Sequence, residues 1–299
     1  VADSGISANI SRSVTCFGPV DDPENYYACR ELNAFREQWH GFDSGRILVD
    51  ASIHAEYTPF AAPNMWEYLG RYAADHKLGM QVHLSETRSE HLECMARHAG
   101  KTPFAVLDDY GVWQNGGVAA HCVWVSQDDM EGMVRRGVTA VHNPVSNLKL
   151  ASGVAPVPRL LQAGVNVALG TDGVASNNSH DMFEEIKLAA LLHKGVSRDP
   201  TAVSARQALE MATVNGAKAL GRNTGRIAPG LDADLILVDF THPGLTPCHD
   251  PEENLVFSAH GSDVVMNMAR GKVIYENGAF LTLDLEDIRA QLEGYALPR

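Results

Sequence analysis

The chain has 299 residues, 45% of them hydrophobic, which is enough to bury a core in one large domain or in two ordinary ones. It carries 24 Lys and Arg against 37 Asp and Glu, a formal net charge of -13, and this acidity argues against nucleic acid as a partner. There is no apolar run of the roughly 18 to 20 residues that a membrane span needs, no basic-then-apolar leader and no C-x-x-C pair, so we expect a cytoplasmic protein without a membrane partner.

Short β-branched runs alternate with stretches of helical period up to about residue 170, which is typical of βα units around a parallel sheet. In "NMWEYLGRYAADHK" the apolar residues recur at helical spacing. Two further helices are predicted to begin at the N-caps Ser89 and Ser126 and to end at the C′ residues Gly100 and Gly137. Six strands are predicted, at 6–14, 46–52, 80–83, 117–125, 138–141 and 165–170.

Two more helices are predicted in "DMFEEIKLAALLHKG", with Asp181 as N-cap, and in "TAVSARQALEMATVNGAKAL". The sequence pattern then changes from helical periodicity to strand-like runs separated by turn residues. The residues "ENG", 276–278, predict a hairpin turn. A helix is expected over 284–295. We predict a division into residues 1–222, which carry the βα units, and 223–299, which form a small β portion with a C-terminal helix.

Polar residues able to bind a metal or transfer protons follow five consecutive predicted strands: His54, His83, His121, His142 and Asp172. In a parallel barrel these positions converge on the face formed by the carboxyl ends of the strands. Any one of these histidines alone is more simply a loop or core residue. His83 and Glu86 are either a catalytic pair or two polar residues without a catalytic role where the strand becomes a loop. The five polar residues taken together favour an active site.

Five motifs resemble the amidohydrolase superfamily, and specifically its branch of 5′-methylthioadenosine/S-adenosylhomocysteine deaminases and related chlorohydrolases: "VHLSET", "AAHCVWV", "HNPVSNLKLASGVAPV", "LGTDGVASNN" and "GRIAPGLDADLILVD". The resemblance covers residues 5–280. It implies an α/β fold, a (β/α)8 TIM-type barrel that residues 1–222 would supply, with a small β-sandwich portion in 223–299. His83 matches the histidine of barrel strand 5, so the first predicted strand, at 6–14, corresponds to barrel strand 3. The barrel is therefore expected to be incomplete, without strands 1 and 2, and the natural protein to be longer.

The resemblance also implies the roles of individual residues. His83 and Asp172 match two ligands of one divalent metal ion, zinc or alternatively iron. Glu86 matches the acid that shuttles protons, His121 the histidine that polarises the attacking water or the intermediate, and Asp172 also the acceptor of the water's proton. The family pattern includes an H-x-H motif, which this sequence lacks, so only two of the four expected ligands have a match.

Substrate contacts are expected from three residues. His54 occupies the position where dinuclear relatives carry a bridging lysine, so one metal is expected and the resemblance assigns His54 to the substrate. Arg12 is a candidate for the carboxylate or ribose end of the substrate, although an ordinary surface arginine is an equal alternative. His142 is expected to face the pocket. In the same loop, Asn143, Ser146 and Asn147 are expected to fix the backbone through side-chain to backbone hydrogen bonds.

Three functional hypotheses remain open at this point. The first is a metal-dependent hydrolytic deaminase of an adenosine-like nucleoside, such as methylthioadenosine or S-adenosylhomocysteine, that releases ammonia. The second keeps the site but changes the substrate, as a chlorohydrolase or aminohydrolase of triazine, guanine or pterin rings. The third is a catalytically inactive, truncated homologue. The first two imply a small-molecule partner, and a homo-oligomer is compatible with either.

Overall fold

The computed structural model describes residues 1–58 and 62–295. Six strands form a parallel sheet: β1 (Ala8–Ser11), β2 (Ile47–Ser52), β3 (Met80–Leu84), β4 (Gly117–His121), β5 (Val138–His142) and β6 (Val167–Leu169). The helices in the same part of the chain are α1 (Tyr27–Trp39), α2 (Phe42–Gly45, a single turn), α3 (Pro63–His76), α4 (Arg88–Arg97), α5 (Pro103–Asp109), α6 (Gln127–Arg136), α7 (Pro144–Lys149), α8 (Val157–Ala163) and α9 (Val174–Asn177). Then follow α10 (Met182–Ser197), α11 (Ala205–Ala212) and α12 (Val214–Ala219).

The six parallel strands lie side by side in the order in which they occur in the chain, from β1 at one edge to β6 at the other. A parallel neighbour requires a crossover connection, and the helices supply these crossovers. The α/β class and the six βα units are therefore confirmed. Each predicted strand is present, with ends that differ by a few residues.

The main hydrophobic core lies between this sheet and its helices. The apolar face of α3 contributes Met65, Trp66 and Leu69, all fully buried, as the helical spacing predicts. Gly70 on α3 lies against the backbone of Gly111, where a Cβ atom would be 2.6 Å from the carbonyl oxygen. The core thus fixes the helices closely against the sheet and holds the strand ends in place.

Helix ends confirm most of the predicted caps. Ser126 accepts a hydrogen bond from the amide of Asp129 and begins α6, and Gly137 ends it with a left-handed backbone. Asp181 caps α10 by accepting from the amide of Phe183. The predicted N-cap at Ser89 is wrong, because Thr87 and Glu90 form a capping box that begins α4 two residues earlier. Gly100 is not the C′ residue of α4, because the helix ends at Arg97 and Ala99 already adopts the left-handed conformation.

The C-terminal part contains a four-stranded antiparallel sheet in the order β10-β9-β8-β7. Its elements are β7 (Leu235–Val238), α13 (Pro251–Phe257), β8 (Val264–Ala269), β9 (Lys272–Glu276), β10 (Ala279–Phe280) and α14 (Leu285–Gly294). The hairpin at 276–278 and the C-terminal helix are confirmed. Residues from the chain start reach this part, since Thr282 Oγ1 donates to the carbonyl oxygen of Ser4 at 2.7 Å.

In the described parts of the chain, none of the helices has the length and apolarity that crossing a bilayer would require.

Candidate active site

The ends of the parallel strands carry the predicted site residues. Arg12 follows β1 directly, His54 lies two residues after β2, His83 is the penultimate residue of β3, His121 and His142 are the last residues of β4 and β5, and Asp172 lies three residues after β6. Because the strands are parallel, these positions share one edge of the sheet. His121 contacts both Glu86 and the ring of His83 there, and Asp172 lies near enough to His121 and His83 for both to lower its pKa.

His83 is oriented by a backbone contact. Its Nδ1 lies 2.7 Å from the carbonyl oxygen of His54. A carbonyl only accepts hydrogen bonds, so Nδ1 carries a proton, and in the neutral ring Nε2 then keeps a free lone pair. Ligand histidines in metal sites are commonly oriented by such a bond from the second nitrogen. The ring of His83 stacks on that of His121, with centroids 5.5 Å apart and planes inclined by 23°.

Glu86 and His121 face one another. Glu86 Oε2 lies 3.7 Å from His121 Nε2, and Glu86 Oε1 accepts a hydrogen bond from Ser152 Oγ at 3.1 Å. The other ring nitrogen of His121, Nδ1, lies 2.8 Å from Asn147 Oδ1. Ser152 thus fixes one oxygen of the Glu86 carboxyl group and Asn147 fixes Nδ1 of the His121 ring. The other carboxyl oxygen and Nε2 face each other.

Asp172 is held as a carboxylate. Ser146 Oγ donates to Oδ2 at 2.6 Å, and the amide of Gly173 donates to Oδ1 at 2.6 Å. Burial alone would raise the pKa of Asp172, but these two hydrogen bonds, helped by the nearby His121 and His83, outweigh it and lower the pKa. An ionised carboxylate and a histidine with a free Nε2 are both ready metal ligands, so Asp172 and His83 fit a divalent cation such as zinc.

The backbone at this edge is strained. Four residues without the freedom of glycine adopt left-handed conformations: Ser85 at φ 48°, His121 at φ 72°, Cys122 at φ 50° and Asp172 at φ 60°. Each costs about 1 to 3 kcal/mol and persists only where the surrounding structure over-determines it. Such strain is often found at functional sites, and residues with positive φ also occur at turns and helix ends elsewhere in the chain.

The three predicted substrate residues lie in different surroundings. His54 is half-buried, with its ring centroid 4.7 Å from that of His83 and its Nε2 3.2 Å from Tyr57 Oη. Burial, with a smaller effect of His83, lowers the pKa of His54 and favours a neutral ring. The guanidinium of Arg12 is engaged by Glu31, with Nη2 2.8 Å from a carboxylate oxygen.

His142 is buried beneath the edge rather than exposed on it. His142 is only 1% exposed, and its Nε2 lies 3.2 Å from His193 Nε2 on α10. Burial, and then the neighbouring His193, hold the pKa of His142 well below its usual value, and burial lowers the pKa of His193 to about 4. The two rings form a neutral pair behind the site.

A second cluster of ligand-type residues lies away from these four. Side-chain atoms of Glu56, Cys94 and His98 are within 4.8 Å of one another. Glu56 is fully buried, but Arg97 Nη2 lies 2.5 Å from its Oε2 and His98 Nε2 lies 2.8 Å from its Oε1. The charge of this carboxylate is already compensated by Arg97, so the cluster is an ion-pair network that joins the loop after β2 to α4.

The sequence did not reveal the residues that support the site. The expectation that Asn143, Ser146 and Asn147 bond to backbone groups is wrong, because the side chain of Ser146 bonds to Asp172 and those of Asn147 and Asn143 contact His121. Ser152 was not identified as a partner of Glu86. The pairs formed by Ser146, Asn147 and Ser152 are 26, 26 and 66 residues apart in sequence, so only the fold brings them into contact.

Comparison with known proteins is consistent with this geometry. The amidohydrolase family matches residues 8–274. The chain is 43% identical over 288 residues to a 5′-deoxyadenosine deaminase of Methanosarcina mazei, covering 96% of this chain and 66% of that protein. It is 46% identical over 294 residues to a 5-methylthioadenosine/S-adenosylhomocysteine deaminase of Dictyoglomus thermophilum, covering 98% of this chain and 67% of that protein.

Among solved structures, the fold is similar to that of an adenosine deaminase from Xanthomonas campestris with bound zinc. The TM-score is 0.90 at 31% sequence identity, and the similarity covers 98% of this chain and 66% of that one. The chain thus spans about two thirds of the length of each of these relatives.

Proposed function

The chain belongs to the amidohydrolase family, and we propose that it forms the greater part of a metal-dependent deaminase that releases ammonia from an adenosine-like nucleoside. Methylthioadenosine, S-adenosylhomocysteine and 5′-deoxyadenosine are the proposed substrates, since the two relatives described above are deaminases of this type. The observation that carries the proposal is the gathering of His83, Glu86, His121 and Asp172 at one edge of the sheet.

We propose that one divalent ion, zinc, is held by His83 Nε2 and the carboxylate of Asp172. The free lone pair of His83 and the lowered pKa of Asp172 support this assignment. When bound, such an ion supplies a hydroxide near neutral pH by lowering the pKa of a water molecule to about 7. Zinc in the Xanthomonas structure supports this choice of metal.

The remaining chemistry is proton transfer by side chains of this chain. Glu86 can take one proton of the attacking water and donate it to the ring nitrogen beside the attacked carbon. His121, 3.7 Å from Glu86, can orient the attacking oxygen through Nε2. Asp172 can accept the second proton of that oxygen, which Glu86 then carries to the leaving amine. Removing or moving any one of these groups should slow the reaction, because each has a different part in these proton transfers.

The finer assignments are also proposals. His54 would contact the purine ring, as its position beside His83 supports. Arg12 would contact the ribose end and must then exchange its partner Glu31 for the substrate. His142 would act from behind the site rather than from its surface. The strands β1 to β6 would correspond to strands 3 to 8 of an eight-stranded barrel, with residues 223–299 as part of a β-sandwich.

The division at residue 222, the homo-oligomeric state and the cytoplasmic location stay predictions. So do the alternative substrates, which the test below includes.

The test is an assay of the natural protein at full length, loaded with zinc. Ammonia release is measured from 5′-deoxyadenosine, methylthioadenosine and guanine, and chloride release from a chlorotriazine. We expect ammonia from the adenosine-like nucleosides, and a decrease in kcat of about 10² to 10⁴ for Glu86→Gln. The matched control is Glu93→Gln, an exposed glutamate on α4, which should leave kcat unchanged. Near-normal activity of Glu86→Gln would refute the proton-transfer role, and turnover of the triazine or guanine alone would refute the substrate class.

A further inference from the structure

A single segment, residues 143–152, contacts three candidate catalytic side chains. It lies between β5 and α8 and contains α7. Each contact is a hydrogen bond between a residue of the segment and a side chain on another strand end: Ser146 with Asp172 at 2.6 Å, Asn147 with His121 at 2.8 Å, and Ser152 with Glu86 at 3.1 Å. Asn143 Nδ2 also lies 3.4 Å from Nδ1 of His121. The segment therefore controls hydrogen-bonding positions on all three groups at once.

The segment is itself held rigidly. Ser146 and Asn147 are 0% and 1% exposed. The backbone amide of Ser152 donates to the carbonyl oxygen of Asn147 at 2.9 Å, and Trp124 Nε1 donates to the carbonyl oxygen of Ser152 at 2.9 Å. The amide of Val145 donates to a buried carboxyl oxygen beneath it at 3.3 Å. The hydroxyl and amide groups that face the site are thus fixed before any substrate arrives.

We propose that Asn147 is a positioning residue that holds His121 as its Nδ1–H tautomer, so that the unprotonated Nε2 faces Glu86. The amide oxygen of Asn147 only accepts hydrogen bonds, so its contact of 2.8 Å places the proton on Nδ1. Asn143 Nδ2, a donor, lies 3.4 Å from the same nitrogen, and this longer contact is the weaker of the two. A neutral imidazole carries a single N–H, which leaves a lone pair on Nε2. This inference rests on the proposed function only for its catalytic consequence.

The consequence concerns the proton between His121 and Glu86. With a lone pair on Nε2, His121 accepts a hydrogen bond from the attacking water or from a protonated Glu86, whose Oε2 is 3.7 Å away. With the opposite tautomer, Nε2–H would donate to the carboxylate and keep it ionised. Asn147 therefore decides whether Glu86 can hold the proton that the reaction requires, although Asn147 itself need not contact the substrate.

The test is ¹⁵N NMR of histidine side chains in the full chain, at a pH where imidazoles are neutral. The His121 signal is assigned with His121→Gln. We expect Nδ1–H in the wild type and in Asn147→Asp, which keeps the acceptor. In Asn147→Leu, which removes it, we expect loss of this tautomer preference. Asn166→Leu, a remote amide change, is the control and should leave the His121 signal unchanged.

Wild-type protein with Nε2–H, or an unchanged tautomer in Asn147→Leu, would overturn the inference. If Asn147→Leu does not fold, the wild-type spectrum alone decides. In the full-length enzyme, kcat should fall about 10²-fold in Asn147→Leu with little change in KM, and Asn147→Asp should restore it. The NMR readout needs no turnover, so a wrong tautomer in an active deaminase refutes this inference alone. A correct tautomer in a protein that releases no ammonia refutes the proposed function alone.

Discussion

Glu185 on α10 offers a quantitative test of how the segment 143–152 is supported. Its side chain is fully buried, with Oε1 accepting from Asn177 Nδ2 at 2.5 Å and Oε2 accepting from the amide of Val145 at 3.3 Å. Burial raises the pKa of Glu185 from 4.5 to about 7, and these two bonds lower it only in part. The carboxyl group is therefore protonated in the folded protein at pH values where the unfolded chain has already released the proton.

The sign of the linkage follows from this difference. A folded-state pKa above the unfolded value means that the stabilisation is fully present below about pH 4.5 and is lost as the pH rises through about 7. The difference between about 4.5 and about 7 corresponds to about 3 kcal/mol. Most of this, about 2 to 3 kcal/mol, should be lost between about pH 5 and about pH 8.

The assay is urea unfolding of wild type and Glu185→Gln across that pH range. Gln cannot ionise, so the free energy of unfolding of the variant should gain about 2 to 3 kcal/mol on that of the wild type between the two pH values. Comparison with the variant removes the contributions of other groups, including Glu90, whose pKa burial also raises to about 7. The control is Glu184→Gln, at the exposed glutamate next to Glu185. If the difference between wild type and Glu185→Gln does not change with pH, the reasoning is refuted.

Two further predictions concern stability alone. Arg97→Met removes the permanently charged partner of the buried Glu56 and leaves its contacts with His98 and Cys94. Because the Arg97 side chain is 28% exposed, we expect a loss of about 2 to 3 kcal/mol, below the range for a fully buried pair. The exposed Arg135→Met is the control in urea unfolding, and an equal effect of both variants would contradict the ion-pair assignment. Gly70→Ala should destabilise the protein by about 1 to 3 kcal/mol, because its Cβ would lie 2.6 Å from a carbonyl oxygen. Gly195→Ala, with no atom within 4 Å, should instead stabilise α10 by about 0.5 to 1 kcal/mol, and the same sign for both glycines would contradict the packing described.

The strands and the edge that carries the site could be predicted from sequence because both follow from short-range rules. Apolar runs set the strands, and parallel pairing sends their polar ends to one edge. Strand ends were less accurate where the backbone turns sharply. The predicted strand 117–125 ends at His121, because His121 and Cys122 have positive φ and turn the chain, although Val123 and Val125 beyond them have high β propensity.

The predicted single helix in "TAVSARQALEMATVNGAKAL" is two helices in the structure. The break lies at Thr213, with φ -125° and ψ -90°, and its hydroxyl donates to the carbonyl oxygen of Leu209 at 2.7 Å. A threonine hydroxyl that competes for a backbone carbonyl in this way favours a helix end. Helical spacing of apolar residues continues across the break, so periodicity alone could not detect it.

The least predictable features are the ones that the proposed chemistry depends on most. Strained residues at the strand ends, the carboxyl group of Glu185 and the neutral pair of His142 and His193 are each unfavourable for folding when considered alone. They persist because surrounding hydrogen bonds fix their geometry, and those bonds join residues distant in sequence. A substitution that relieves one of them, such as Glu185→Gln above about pH 7, should therefore stabilise the fold while loosening the segment that positions Glu86, His121 and Asp172.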